Sequence, residues 1–166
     1  MLIPQIMADR IRRRSAKLFP DNTRFAAADK FTGRVISCPD GDGLTMDVSG
    51  KIIQVRLWGM DAPEWGQPYA RQSWHHLNSL IWGKPVTCFV KERDRYSRLV
   101  CECFGLSDYS MNLLQVLYGF AWYCPRYAPH ATHYRDAQRL ARMYERGLWR
   151  NPNPCPPWQF RHSKKT

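Results

Sequence analysis

From Phe31 onward the chain alternates apolar and polar residues with a period of two, and that pattern constrains its folding more than any other feature. Successive side chains on a strand point to opposite faces, so such a segment must lay one face on a core. Leu44, Met46 and Val48 alternate with Thr45 and Asp47 up to the turn pair Ser49-Gly50. On the return strand Ile53, Val55 and Leu57 share one face, while Gln54, Arg56 and Trp58 share the other. If the apolar face is buried, Arg56 points away from the core and its guanidinium is left for a site. Val86, Cys88 and Val90 mark a further strand, and Leu99, Cys101 and Cys103 another, joined by Glu92 to Tyr96. Arg98 then falls on the opposite face from Cys101.

Helical spacing interrupts and follows these strands. Ala70, Trp74, Leu77 and Ile81 recur behind Pro68, with Gly83 where a left-handed cap is common. Ser110 to Tyr118 reads as a short helix ending at Gly119, and Tyr134, Ala137, Ala141, Tyr144 and Leu148 trace one stripe of a longer helix with Gly147 as its stop signal. The run from Asn151 to Trp158 is proline-rich and is expected to cross the surface extended, without a helix. The expected fold class is therefore α+β: a five-stranded OB-type β-barrel with three helices. Length predicts one domain, placed at residues 31–160, between a flexible basic arm at 1–30 and a basic tail at 161–166.

A formal net charge of +11 and a sequence pI near 9.7 predict a polyanionic partner. Each cation brought near a phosphate releases condensed counterions, which puts nucleic acid ahead of anionic membrane. No apolar run approaches the roughly 20 residues needed to cross a bilayer. The arginine-rich stretch from Arg10 to Lys17 is not followed by an apolar run and does not read as a secretory signal. Six cysteines include no C-x-x-C pair, which argues against a zinc ribbon or thioredoxin-type motif and favours small buried thiols in a reduced compartment. A cytoplasmic location is favoured on that ground, with an exported form left open.

Three polar segments carry the chemistry. Asp40-Gly41-Asp42 allows a tight turn that converges acidic oxygens, although the EF-hand pattern fails because Leu44 and Lys51 stand where that loop needs oxygen ligands. Asp61-Ala62-Pro63-Glu64 follows the strand that delivers Arg56; its competing reading is an acidic cap on the next helix. Asp94-Arg95-Tyr96-Ser97-Arg98, taken alone, is a charged hairpin turn. Together, carboxylates able to hold a hard cation and two arginines able to hold a phosphate suggest metal-assisted cleavage of a phosphodiester.

In order and spacing these segments resemble the staphylococcal nuclease (thermonuclease) family. The resemblance runs from about Phe31 to Trp158 and includes Gly119-Phe120-Ala121-Trp122 and Gly147-Leu148-Trp149. It implies a calcium-dependent endonuclease that hydrolyses DNA and RNA with little sequence preference and leaves a 3′-phosphate. By the same resemblance Asp42, Asp61 and the backbone carbonyl of Ala62 would bind Ca²⁺, Glu64 would be the general base, and Arg56 and Arg98 would hold the phosphate. Asp40, Asp94 and Tyr96 are expected to support the loops. Two positions depart from the family pattern: Gly43 stands where threonine is usual and Ser97 where glycine is usual. Tyr123, Arg126 and Tyr127 mix aromatic and cationic groups suited to bases and backbone; DNA and RNA are the expected partners, with single strands preferred. His130 and His133 lack further ligands and do not suggest a zinc site. A monomer is expected, and a non-catalytic OB-type nucleic-acid-binding module is the alternative.

Overall fold

The computed structural model describes residues 30–106 and 109–163. Five strands, β1 (Lys30–Ser37), β2 (Gly43–Val48), β3 (Lys51–Leu57), β5 (Pro85–Arg93) and β6 (Leu99–Phe104), close a barrel in the order β1-β2-β3-β6-β5. All neighbours are antiparallel except β3 and β6, which run parallel and place Val55 opposite Leu99 and Arg56 opposite Val100. The β2–β3 hairpin turns at Ser49 and Gly50, both at positive φ, as a two-residue loop matching the strand twist demands. Leu44, Met46, Val55, Leu57, Val86, Cys88, Cys101 and Cys103 fill the barrel, each 2% exposed or less. The cysteine reading holds there: Cys88 and Cys103 oppose each other with sulfurs 3.4 Å apart, unbonded, and all six thiols are free.

Helix α1 (Ala70–Ile81) follows the barrel's first half and buries Ala70, Ser73, Leu77 and Ile81. Gly83 takes φ +70 just beyond its end, the left-handed geometry expected there. Helix α2 (Met111–Leu117) starts at Ser110, whose hydroxyl accepts from the Leu113 amide at 3.1 Å. Helix α3 (Thr132–Met143) packs through Tyr134, Ala137 and Ala141.

Three expectations need correction. Tyr144 does not continue the buried stripe of α3: it caps the helix and is exposed, and Leu148 returns to the core only after a turn at Glu145 and through a 3-10 turn, Gly147–Arg150. The proline-rich tail ends in a fourth α-helix, α4 (Pro157–Ser163), so the described residues hold four α-helices rather than three. Proline is tolerated in a first helical turn because its missing N–H would be unpaired there anyway. Asp61 and Trp122-Tyr123, read as loop, instead pair as a short ribbon between β4 (Met60–Asp61) and β7 (Trp122–Tyr123). The arm ahead of Lys30 and residues 164–166, on which the expected domain limits bear, lie outside the described residues.

Candidate active site

Asp42 sits immediately before β2, and the Leu57 amide donates to its carbonyl at 2.8 Å. That turn is held from three sides. Asp40 Oδ1 accepts from the Asp42 amide at 3.1 Å. Trp65 Nε1 donates to the Pro39 carbonyl at 2.9 Å and Trp74 Nε1 to the Cys38 carbonyl at 2.7 Å. From inside the protein, Gln115 Nε2 on α2 donates to the Gly41 carbonyl at 2.7 Å and to Ser73, while its Oε1 meets His76 Nδ1. Gly41 is required by this packing, since a Cβ there would come 2.0 Å from Ser73 Oγ. Gly43 is tight for a different reason: a Cβ would come 2.8 Å from Asp40 Oδ1, so Asp40 occupies the space a larger residue would need.

Asp42 is 2% exposed and Asp61 3%. Both point at Arg56, whose two terminal nitrogens split between them: Nη1 pairs with Asp42 Oδ1, and Nη2 with Asp61 Oδ1 at 2.7 Å. The Ala62 amide donates to Asp42 Oδ2 at 2.7 Å, tying the two acidic loops together. Burial drives the Asp42 carboxyl well above its usual range, while Arg56 pulls the other way. The same carboxylates raise Arg56 against its own desolvation, so the guanidinium stays charged. Two buried carboxylates that converge on one point make an all-oxygen donor set, the kind a hard divalent cation takes. Among the described residues no three His, Cys, Asp or Glu side chains form a ready cage. The two aspartates would therefore have to share a cation with backbone oxygen and water, as such ions commonly accept.

Glu64 lies on the loop after β4, its amide donating to Gln67 Oε1 at 2.7 Å, and Gln67 Nε2 reaches the Cys155 carbonyl at 3.1 Å. Neither Asp61 nor Glu64 caps α1, because that helix starts at Ala70 with Tyr69 at its N-cap and no acid in the first turn. Arg98 stands at the end of the turn between β5 and β6. Asp94 accepts from the Tyr96 and Arg98 amides at 2.9 and 3.0 Å and from Arg98 Nε at 2.8 Å. Those hydrogen bonds, Arg98 first, outweigh a desolvation that would raise it and hold the Asp94 carboxyl below its usual range. Arg98 directly precedes Leu99, which pairs with Val55 beside Arg56, so the parallel register brings the two arginines onto adjoining strands. Ser97 adopts φ +65, the left-handed geometry that glycine would supply without strain. Tyr96 is exposed, with the Arg95 and Arg98 guanidinium carbons 4.8 and 5.7 Å from its ring centroid.

The aromatic loop divides. Tyr123 is 7% exposed and its hydroxyl donates to the Ala128 carbonyl at 2.8 Å, so it packs rather than faces solvent. Tyr127 and Arg126 are exposed and lie near one another, 5.9 Å from guanidinium to ring centroid. Sequence reasoning missed three contributors: the indoles of Trp65 and Trp74, the buried amides of α2, and Arg161. Gln115 and Asn112 had a visible signal, two amides in an otherwise apolar helix; Asn112 bridges the Trp58 and Cys101 carbonyls and the Cys103 amide. Arg161 on α4 had none. Its Nη2 pairs with Asp61 Oδ2 at 2.7 Å and its Nη1 with Glu64 Oε1 at 2.6 Å.

The closed five-stranded barrel, with Asp42, Asp61, Glu64, Arg56 and Arg98 on its loops and strands, is of the OB class. The model of the family described as staphylococcal nuclease homologue matches residues 54–151. A protein of Escherichia coli described as an uncharacterized endonuclease is 37% identical over 132 residues, covering 80% of this chain and 86% of that one. The micrococcal nuclease of Shigella flexneri is 31% identical over 144 residues, 81% and 83% of the two chains. The chain belongs to the staphylococcal nuclease family and is a nuclease-class hydrolase.

Proposed function

We propose that this nuclease is a calcium-dependent endonuclease that hydrolyses DNA and RNA with low sequence specificity. The observation that carries the reading is the Arg56 fork: one guanidinium draws Asp42 and Asp61 together beside the loop that bears Glu64. Asp42 and Asp61, with the Ala62 carbonyl, would hold the Ca²⁺. When bound, that ion would polarise a phosphoryl oxygen and offset charge developing on the phosphate.

Every other role falls to this chain's own groups. Glu64 takes the proton of the attacking water, which needs only a carboxylate within hydrogen-bond reach of it, and such positioned bases contribute roughly 10²–10⁴-fold. Arg56 and Arg98 each offer a planar fork to phosphate oxygens and bind more strongly as negative charge builds there. The water oxygen bonds to phosphorus as the bond to the leaving 5′-oxygen breaks; that oxygen takes a proton from solvent to become the 5′-hydroxyl, and a 3′-phosphate remains. Exposed Tyr127 and Arg126 supply a stacking and backbone contact that does not depend on base identity and favours single strands.

Glu64→Gln tests the assignment. Cleavage of a labelled single-stranded oligonucleotide should fall about 10³-fold while the Kd for that strand, measured by fluorescence anisotropy, stays within about twofold. Undiminished cleavage would remove Glu64 as the base; lost binding would make it a substrate contact.

A further inference from the structure

Asp61 is claimed twice. Its Oδ1 accepts from Arg56 at 2.7 Å and from Arg161 Nη1 at 3.2 Å, and its Oδ2 accepts from Arg161 Nη2 at 2.7 Å. The same Arg161 Nη1 donates to Glu64 Oε1 at 2.6 Å. Two arginines thus face three carboxylates, Asp42, Asp61 and Glu64, and both oxygens of Asp61 are in use.

The two arginines are held very differently. Arg56 projects from a strand paired on both sides in the barrel, and its side chain is 21% exposed. Arg161 projects from a seven-residue helix in which Pro157 is the one buried residue, and its side chain is 44% exposed. Its partner Asp61 is buried, so the pair is stronger than an ordinary surface bridge, yet Arg161 is the more exposed of the two guanidinium groups and stands on a short helix rather than on a barrel strand. Of the two cations on Asp61, Arg161 is the one that can leave at small structural cost.

We propose that Arg161 is the internal counter-cation of this site: it holds Asp61 and Glu64 from the C-terminal helix and gives up Asp61 when a divalent cation binds. The proposal rests on the reading that Asp42 and Asp61 hold such a cation. Competition of this kind is reciprocal, since whatever weakens the arginine's hold strengthens the ion's, and the reverse. Withdrawal from Asp61 removes two of the three hydrogen bonds by which Arg161 ties α4 to the acidic loops, so the helix amides become easier to open.

The test uses the full chain and two readouts other than turnover. Calcium titrated into the wild type, Arg161→Gln, Arg161→Lys and Asp42→Asn by calorimetry gives the affinities. Amide hydrogen exchange across residues 157–163, with and without Ca²⁺, reports the helix. Arg161→Gln should bind Ca²⁺ roughly tenfold more tightly than wild type, with Arg161→Lys between them. In the wild type, Ca²⁺ should speed exchange in the helix, and Asp42→Asn should abolish both the binding and the faster exchange. Equal or weaker binding by Arg161→Gln, with wild-type binding intact, overturns the counter-cation role and leaves the metal reading standing. Absence of binding in the wild type at millimolar Ca²⁺ overturns both.

Discussion

The two halves of the site are built by opposite means. The carboxylate half, Asp42, Asp61 and Arg56, is buried and is assembled by contacts far apart in the chain: a hairpin register, the Ala62 amide, and Gln115 reaching from α2 to the Gly41 carbonyl. The Arg98 half is an exposed turn that closes on itself, with Asp94 accepting from residues two and four positions on. In the first half, positioning and stability are one property. In the second, the group that would meet phosphate is held by a local motif that the rest of the fold does not need.

That contrast yields its largest expected effect in a pair of variants. Arg56→Gln and Arg98→Gln should each lower cleavage about 10²–10³-fold, since under the proposed function each removes a guanidinium that would meet phosphate charge. Only Arg56→Gln should also destabilise the fold, by about 2–3 kcal/mol, because it leaves buried Asp42 without a counter-charge, whereas Asp61 keeps Arg161. Thermal unfolding of both proteins separates the halves: an equal fall in Tm for the two would break the comparison.

Gln115→Leu comes next. It removes the Gln115 donor to the Gly41 carbonyl and replaces a buried amide that also meets Ser73 and His76, at a cost of about 1–3 kcal/mol. The same change loosens the turn before Asp42, so Ca²⁺ affinity by calorimetry should fall about tenfold, a usual range for lost supporting hydrogen bonds. Lost stability with unchanged affinity would show that the interior amide braces the fold but not the aspartate.

The smallest effect belongs to the outer half. Ser97 sits at φ +65, where an L side chain is strained and glycine is not. Ser97→Gly should raise stability by about 0.5–1 kcal/mol after allowing for the greater freedom of glycine in the unfolded chain, or about 1–3 °C in Tm. Cleavage should stay within about twofold of wild type, because Asp94 still orients Arg98. A large change in cleavage would mean that Ser97 reports on the reacting groups and not merely on the turn.

The barrel was legible in the sequence because its inner face alternates cleanly: Leu44, Met46, Val55 and Leu57 are all buried as their spacing predicts. The local half of the site was legible too, since Asp94, Ser97 and Arg98 lie within five residues and the turn geometry demanded of Ser97 is the one observed. Long-range parts were harder to see. Gln115 reads as an ordinary helical amide until α2 is laid beside the Gly41 turn, and Arg161 is 100 residues from Asp61. Tyr123 shows the reverse error of exposure, an aromatic in a polar run that the β4–β7 ribbon turns inward. The tail misled through composition: its prolines forbid a helix before Pro157 but suit the start of one at it.

The measurement that bears most directly on the whole account is cleavage of one labelled single-stranded oligonucleotide by the wild type in Ca²⁺, Mg²⁺, Mn²⁺ or excess chelator at a fixed ionic strength. A site in which two buried aspartates share a hard cation predicts turnover highest in Ca²⁺ and reduced at least 10³-fold by chelator, roughly the contribution of charge stabilisation at the phosphate. Equal turnover in Ca²⁺ and in chelator would contradict it, and would leave the Asp42–Arg56–Asp61 cluster as a purely structural ion pair.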